Sequence, residues 1–297
     1  MTVIDSEASA FWEPPGDEAA DPPLSGRLSV ADMLTLGNAV CGFAAVYFIT
    51  TGILVPHFMT GQGSGLARHS AATSVMLLVM ASIFDLLDGL AARRFRGSAL
   101  GAELDNLSDL VSFGLAPAYF VIVWGLVTDD VHLGSTAVVA TAVLLCGLLR
   151  LARFSCTTMQ DGMFQGMPIP FAAMTVISIL LLGLPFLLTA PLTLAVAWLM
   201  VSRVEYPKPT GLFAVATLCW GSLSMGCLVA WAANVPGAND ILRTGCALQV
   251  ALAALIPALA AARRIGRARD AHHRGVAGTG PHATPWSAPR TGRDGSA

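Results

Sequence analysis

The sequence predicts an all-α, polytopic membrane bundle of about eight transmembrane helices, and three observations predict it. Hydrophobic residues make up 55% of the 297-residue chain and charged residues only 12%, with a mean hydropathy of +0.66. The apolar residues gather into long stretches near residues 33–54, 71–92, 107–127, 135–154, 171–188, 192–204, 212–233 and 241–262. Most approach the ~20 residues that a helix needs to cross hydrocarbon. Basic residues also divide unevenly between the connections. One side of an eight-span chain carries Arg27, Arg93, Arg94, Arg96, Arg150, Arg153, Arg203, Lys208, Arg263, Arg264, Arg267 and Arg269, whereas the other carries Arg68 and Arg243. Basic loops stay cytoplasmic, so both termini and the loop between the second and third spans are expected on that side.

Taken in order, residues 1–28 read as a disordered tail. They are rich in Glu, Asp and Pro and lack the basic start and cleavable apolar core of a signal peptide. Residues 29–262 form the membrane domain, with Thr35 and Asn38 near the cytoplasmic end of its first span. Pro168 and Pro170 set the start of the fifth span, because proline is tolerated in a first helical turn. Arg150 and Arg153 end the fourth span, either snorkelling towards water or gripping an oxyanion. Arg203 and Lys208 read as cytoplasmic anchors, and Gly221 and Gly226 with nearby serines as a close helix contact, in a dimer for example. Residues 263–297, rich in Arg, Gly, Pro and His, read as a basic, unfolded tail, whose cluster Arg263–Arg269 reads first as a plain stop-transfer flank and second as a contact with anionic lipid. Cys41, Cys146, Cys156, Cys219, Cys227 and Cys246 have no paired spacing and read as small buried apolar residues. His57, His69, His272 and His273 accompany no acids at ligand spacing, and nothing suggests a nucleic-acid face.

The stretch DLLDGLAARRFRGSALGAELDNLSD (residues 85–109) places four aspartates at the edge of two apolar spans. At about 100° per residue, Asp88, Gly89 and Ala92 fall within about 60° of Asp85 on one helix face. Asp105, Ser108, Asp109 and Ser112 form a second stripe that begins near Gly101. Antiparallel neighbours would bring the stripes together, and four buried carboxylates repel one another unless a cation lies between them. Oxygen ligands without His or Cys suit Mg²⁺, Mn²⁺ or Ca²⁺, and the spacing has room for two ions, a layout fit for diphosphate chemistry. Glycine at positions 89 and 101 fits the close approach of a ligand.

The pattern D-x2-D-G-x2-A-R followed by G-x3-D-x3-D resembles the hallmark of the CDP-alcohol phosphotransferases, with Asp85, Asp88, Gly89, Ala92, Arg93, Gly101, Asp105 and Asp109 at the named positions. The interval at residues 94–100 is one residue shorter than that family's usual spacing, within an interhelical loop where length varies. TLGNAVCGF (35–43), FGLAP (113–117), LLRLARF (148–154), GMPIP (166–170) and LMVSRVEYP (199–207) resemble segments of its phosphatidylserine synthase branch. The resemblance implies CDP-diacylglycerol and L-serine as substrates, Mg²⁺ or Mn²⁺ as cofactor and a homodimer, while the basic loops put the site at the cytoplasmic side of the cell membrane. It implies Asp85, Asp88 and Asp105 as metal ligands and Asp109 as a ligand or the general base. Gly89, Ala92, Arg93 and Gly101 would lie along the nucleotide. Thr35 and Asn38 would add hydrogen bonds or merely pack the helix, and Arg150 and Arg153 would bind serine or phosphate or merely anchor the span.

Two other readings stay open. One has another acceptor, glycerol phosphate, inositol phosphate or choline, or an archaetidyl lipid as donor, since the motif handles the CDP half. Intramembrane acids also mark cation routes in transporters and channels.

Overall fold

The computed structural model describes residues 29–60, 68–94, 100–128, 133–156, 163–207 and 212–277. The expected N-terminal tail, the Arg93 side chain, Lys208 and the last twenty residues lie outside them.

Helix α1 (Val30–Ile49) begins where a capping box closes its first turn. The Asp32 N–H donates to Ser29 Oγ at 3.2 Å and the Ser29 N–H to Asp32 Oδ2 at 2.7 Å. The rod continues through a π-helical turn, Thr50–Leu54, into α2 (Val55–Thr60). After α3 (Arg68–Arg94), a second composite rod joins α4 (Gly101–Asp109), the π-helical turn Leu110–Leu115 and α5 (Ala116–Val127). Each π-turn stands just before a proline, Pro56 or Pro117. Proline has no N–H for the carbonyl four residues back, so the ladder must shift there.

Helix α6 (Leu133–Cys156) is followed by α7 (Ile169–Leu181), α8 (Phe186–Val201), α9 (Leu212–Ala232) and α10 (Ala238–Ala277). Two three-residue strands, β1 (Met163–Gln165) and β2 (Glu205–Pro207), pair antiparallel with Phe164 opposite Tyr206, a small exception to the expected all-α fold. Tyr206 is buried and its hydroxyl has no partner among the described residues, so burial pushes its pKa up to about 12 and keeps the phenol neutral.

Among the described residues five helices are long and apolar enough to cross a membrane, over Val30–Met59, Arg68–Ala92, Gly101–Val127, Gly134–Cys156 and Ala238–Ala258. Three apolar helices are shorter, Ile169–Leu181, Phe186–Val201 and Cys219–Ala232, so length and composition support a multi-pass protein with five candidate spans among the described residues. The fifth and sixth expected spans also divide elsewhere. Sequence reading places the break at residues 189–191, between 171–188 and 192–204, yet these residues lie inside α8. The chain turns instead at residues 182–185, where Gly183 takes φ +64° and Pro185 caps α8. As the prolines predict, α7 starts at Ile169 between Pro168 and Pro170. Helix α10 runs to Ala277, past residue 263 where the sequence reading starts an unfolded tail.

Contacts divide the chain into a first unit, through Ala253, and a second from Ala254, whose described part is the rest of α10. Within the first unit α1 packs along α3 and also touches α4 and α5; α6 lies against α5 and α8, and α9 against α3. Side chains such as Phe43, Val138 and Leu187 stay exposed, as lipid-facing positions should. A Cβ at Gly221 would meet Val79 and Ile83 of α3 at 3.8 Å, whereas the position of Gly226 is open. The expected burial of cysteines holds for Cys41 and Cys246, while Cys156 and Cys219 are exposed at the bundle surface; all six are free thiols. A polar chain crosses the bundle where Trp220 Nε1 donates to Gln249 Oε1 at 3.0 Å and Gln249 Nε2 donates to Thr175 Oγ1 at 3.3 Å. Arg68 hydrogen-bonds Asn234 and lies 5.7 Å over the Trp231 ring, joining α3 to the turn after α9.

Gly42 lets α1 reach the second π-turn, because a Cβ at that position would overlap Ser112. Gly42→Ala is expected to cost about 1–3 kcal/mol by overpacking, read as a lower midpoint of thermal unfolding in detergent. Gly226→Ala, where a methyl meets nothing within 4 Å, leaves that midpoint unchanged or raises it.

Candidate functional site

Asp85 sits late in α3, and Asp105 and Asp109 lie one turn apart in α4. One carboxylate oxygen from each falls within 4.8 Å of the other two. The expected meeting of the acidic stripes is therefore present for three of the four aspartates. Asp88 is outside this group. It stands about 60° round α3 from Asp85, on the side where α1 packs, and its Oδ2 accepts a hydrogen bond from Thr35 Oγ1 at 2.8 Å. The same hydroxyl lies 3.0 Å from the Ala31 carbonyl, and its single proton favours the nearer, anionic partner.

Helix α1 braces the second stripe as well. Asn38 Nδ2 donates to Asp109 Oδ1 at 3.1 Å, and Ser112 Oγ donates to the Asn38 carbonyl at 2.8 Å. Asn38 and Ser112 are both wholly buried. Asp109 is thus the last α-helical residue before a π-turn, held from α1 through Asn38 while Ser112 locks the turn to the same residue. π-Turns of this kind recur where a helix must aim a functional side chain.

The cluster keeps unmet demands. Asp105 Oδ1 and Asn38 Oδ1 are buried with no hydrogen-bond partner among the described residues. Leaving a buried acceptor unpaired costs about 1–3 kcal/mol, and more for a charged one. Three converging carboxylates with an orphaned oxygen form an all-oxygen donor set that a hard divalent cation such as Mg²⁺ or Mn²⁺ fits.

Of the two arginines that end α6, Arg150 belongs to this site and Arg153 is engaged elsewhere. The positive charge of Arg150 acts on Asp85, Asp105 and Asp109, and its guanidinium lies 5.9 Å from the centre of the Phe154 ring. Arg153 Nη1 donates to the Val201 carbonyl at 2.6 Å, at the end of α8 where carbonyls lack intrahelical donors. Asn106 Nδ2 donates to Ser155 Oγ at 3.0 Å, tying α4 to the end of α6. Gly89 is exposed with nothing within 4 Å of its Cβ position, Ala92 is exposed, and Gly101 opens α4.

Sequence reasoning missed Asn106, Gly42 and the bracing work of Thr35 and Asn38. Their spacing held a signal: Thr35, Asn38 and Gly42 recur at helical intervals, the face that a helix turns to a close neighbour. Asn38→Ala should lower turnover about 10- to 100-fold, the kinetic equivalent of one hydrogen bond to a charged group. Steady-state rates checked beside an unchanged elution profile of the purified variant test this.

Comparison with known proteins agrees with this geometry. Residues 28–204 match the family model described as CDP-alcohol phosphatidyltransferase. The archaetidylserine synthase of Methanothermobacter thermautotrophicus is 34% identical over 198 residues, covering 65% of this chain and 76% of that protein. The CDP-diacylglycerol–serine O-phosphatidyltransferase of Bacillus subtilis is 32% identical over 179 residues, covering 59% and 88%. The enzyme of the same name from Saccharomyces cerevisiae is 36% identical over 155 residues, covering 48% and 50%. The matched region contains the whole aspartate cluster and both residues of α1 that brace it, and the chain belongs to the CDP-alcohol phosphatidyltransferase family.

Proposed function

We propose that this chain is an integral-membrane phosphatidyltransferase that makes phosphatidylserine and CMP from CDP-diacylglycerol and L-serine. The observation that carries the reading is the convergence of Asp85, Asp105 and Asp109 inside a membrane helix bundle of this family. Support for the acceptor comes from relatives whose names share serine.

Asp85, Asp105 and Asp109 would hold Mg²⁺ or Mn²⁺, with Asp88 serving a second position, and bound ions would offset the diphosphate's charge and polarise its phosphoryl oxygens. Open space beside Gly89 admits the cytidine diphosphate, with Ala92 and Arg93 one turn along and Gly101 at the start of the facing helix. Thr35 and Asn38 act by holding Asp88 and Asp109 in place. Arg150, beside the cluster, suits the serine carboxylate, which a guanidinium binds at two points. Arg153 anchors α8.

In the transfer, the serine hydroxyl oxygen bonds to the lipid-linked phosphorus, the bond from that phosphorus to the CMP oxygen breaks, and CMP departs with the electron pair. The hydroxyl proton passes to Asp109 as the base; with Asp109 as a ligand only, it passes to water. The acidic cluster faces the cytoplasm of the cell membrane, because the chain between Asp88 and Asp105 carries Arg93, Arg94 and Arg96. The active assembly is a homodimer. A second reading of the donor, an archaetidyl lipid, is favoured by the Methanothermobacter relative.

Purified protein with CDP-diacylglycerol and Mg²⁺ or Mn²⁺ should release CMP with L-serine and not with glycerol phosphate, inositol phosphate or choline. Reaction of a phosphorylated acceptor while serine stays inert would overturn the acceptor assignment. Chelation of divalent ions should abolish CMP release and readdition restore it, whereas a cation channel would consume no nucleotide. Asp85→Asn and Asp105→Asn should each lose turnover and weaken the response to metal. Asp109→Asn should still bind CDP-lipid but fail to transfer; retained transfer removes it as the base.

A further inference from the structure

Two contacts join the rod that carries Asp105 and Asp109 to the helix that carries Arg150, and they share one register. A Cβ at Gly147 of α6 would lie 3.8 Å from the Gly114 Cα of the second π-turn, so the two backbones approach closely there. Further along, Asn106 Nδ2 of α4 donates to Ser155 Oγ of α6 at 3.0 Å. Asn106 precedes Gly114 by as many residues as Gly147 precedes Ser155, so the rods run antiparallel with both contacts in step. The interval is about 12 Å along α6, and Arg150 stands within it.

The end of α6 is itself a firm unit. Ser155 Oγ gives its own proton to the Leu151 carbonyl at 3.2 Å, while its lone pairs accept from Asn106. Arg150 directly precedes Leu151, and its guanidinium lies 5.9 Å from the centre of the ring of Phe154, the residue before Ser155. A bond made to Ser155 is therefore passed to the turn from which Arg150 projects. On α4, Asn106 stands about 60° round from Asp109 and about 100° from Asp105, so one short helix offers carboxylates to the cluster and an amide to α6.

We propose that Asn106, acting through Ser155, is a positioning residue that sets the separation between the carboxylate cluster and Arg150, and with it the fit of the acceptor's carboxylate. The inference rests on the reading of Arg150 as the partner of the serine carboxylate. Packing at Gly114 and Gly147 fixes the distance between the rods at one level only. Arg153 ties the same end of α6 to α8, which does not set its distance from α4. Thr35 and Asn38 brace the aspartates from α1, without α6. Loss of the Asn106–Ser155 bond thus leaves the metal and CDP half in place and moves the cation. A contact made to the serine carboxylate both before and during transfer appears in KM for serine and spares kcat.

The test measures CMP release by the full chain in detergent with L-serine, CDP-diacylglycerol and Mn²⁺. Asn106→Ala should raise KM for serine about 3- to 10-fold, the size of one neutral hydrogen bond. Its kcat, its KM for CDP-diacylglycerol and the Mn²⁺ concentration for half-activation should stay unchanged. Ser155→Ala should match it, and N106A/S155A should be no worse than either single variant, because both remove the same bond. Ser155→Thr, which keeps the hydroxyl, should restore the wild-type KM for serine. An unchanged serine KM in the two alanine variants, additive effects in the double variant, or an equal rise in KM for CDP-diacylglycerol would overturn the proposal. No CMP release from the wild type with L-serine would remove the acceptor reading and this inference with it; wild-type release with a serine KM indifferent to Asn106 would remove this inference alone.

Discussion

Negative charge confined at the edge of a low-dielectric bundle is what the rest of the molecule is arranged around. Asp85, Asp105 and Asp109 bring oxygens within 4.8 Å of one another, a distance at which unscreened carboxylates repel strongly. A chain that only needed to fold would let α3 and α4 splay or would replace the acids. Here α1 is laid against both helices, and Thr35, Asn38 and the close approach at Gly42 hold the geometry from behind. The binding energy of a cation and a diphosphate is then available to offset a repulsion that folding alone must carry.

That arrangement divides the labour among similar residues. Three aspartates face a common point, while the fourth, Asp88, is held by a threonine. Two arginines stand one turn apart at the end of α6, yet Arg150 addresses the carboxylates and Arg153 the Val201 carbonyl at the end of α8. Position on a helix face, more than residue type, separates the roles.

Much of this was legible beforehand because its signals are local. Apolar runs mark the helices, and a three- or four-residue spacing puts Asp105 and Asp109 on one face regardless of tertiary context. What stayed hidden depends on partners distant in sequence. Nothing near Asp88 reveals that Thr35 will claim it, and nothing near Arg153 points to Val201. Length misled where apolar runs were divided: residues 189–191, left between two expected spans, lie inside α8, while Gly183, with its left-handed backbone, makes the turn. The end of α10 deceived in the opposite sense, since its arginine-rich composition resembles a tail although arginine and alanine are good helix formers.

The most direct measurement is the anomalous scattering of Mn²⁺ in crystals of the full chain grown with CDP and MnCl₂. The arrangement described here requires a peak about 2.0–2.3 Å from carboxylate oxygens of Asp85, Asp105 and Asp109, with the diphosphate completing the shell. Manganese found only at other acids, or a diphosphate bound away from this cluster, would contradict it.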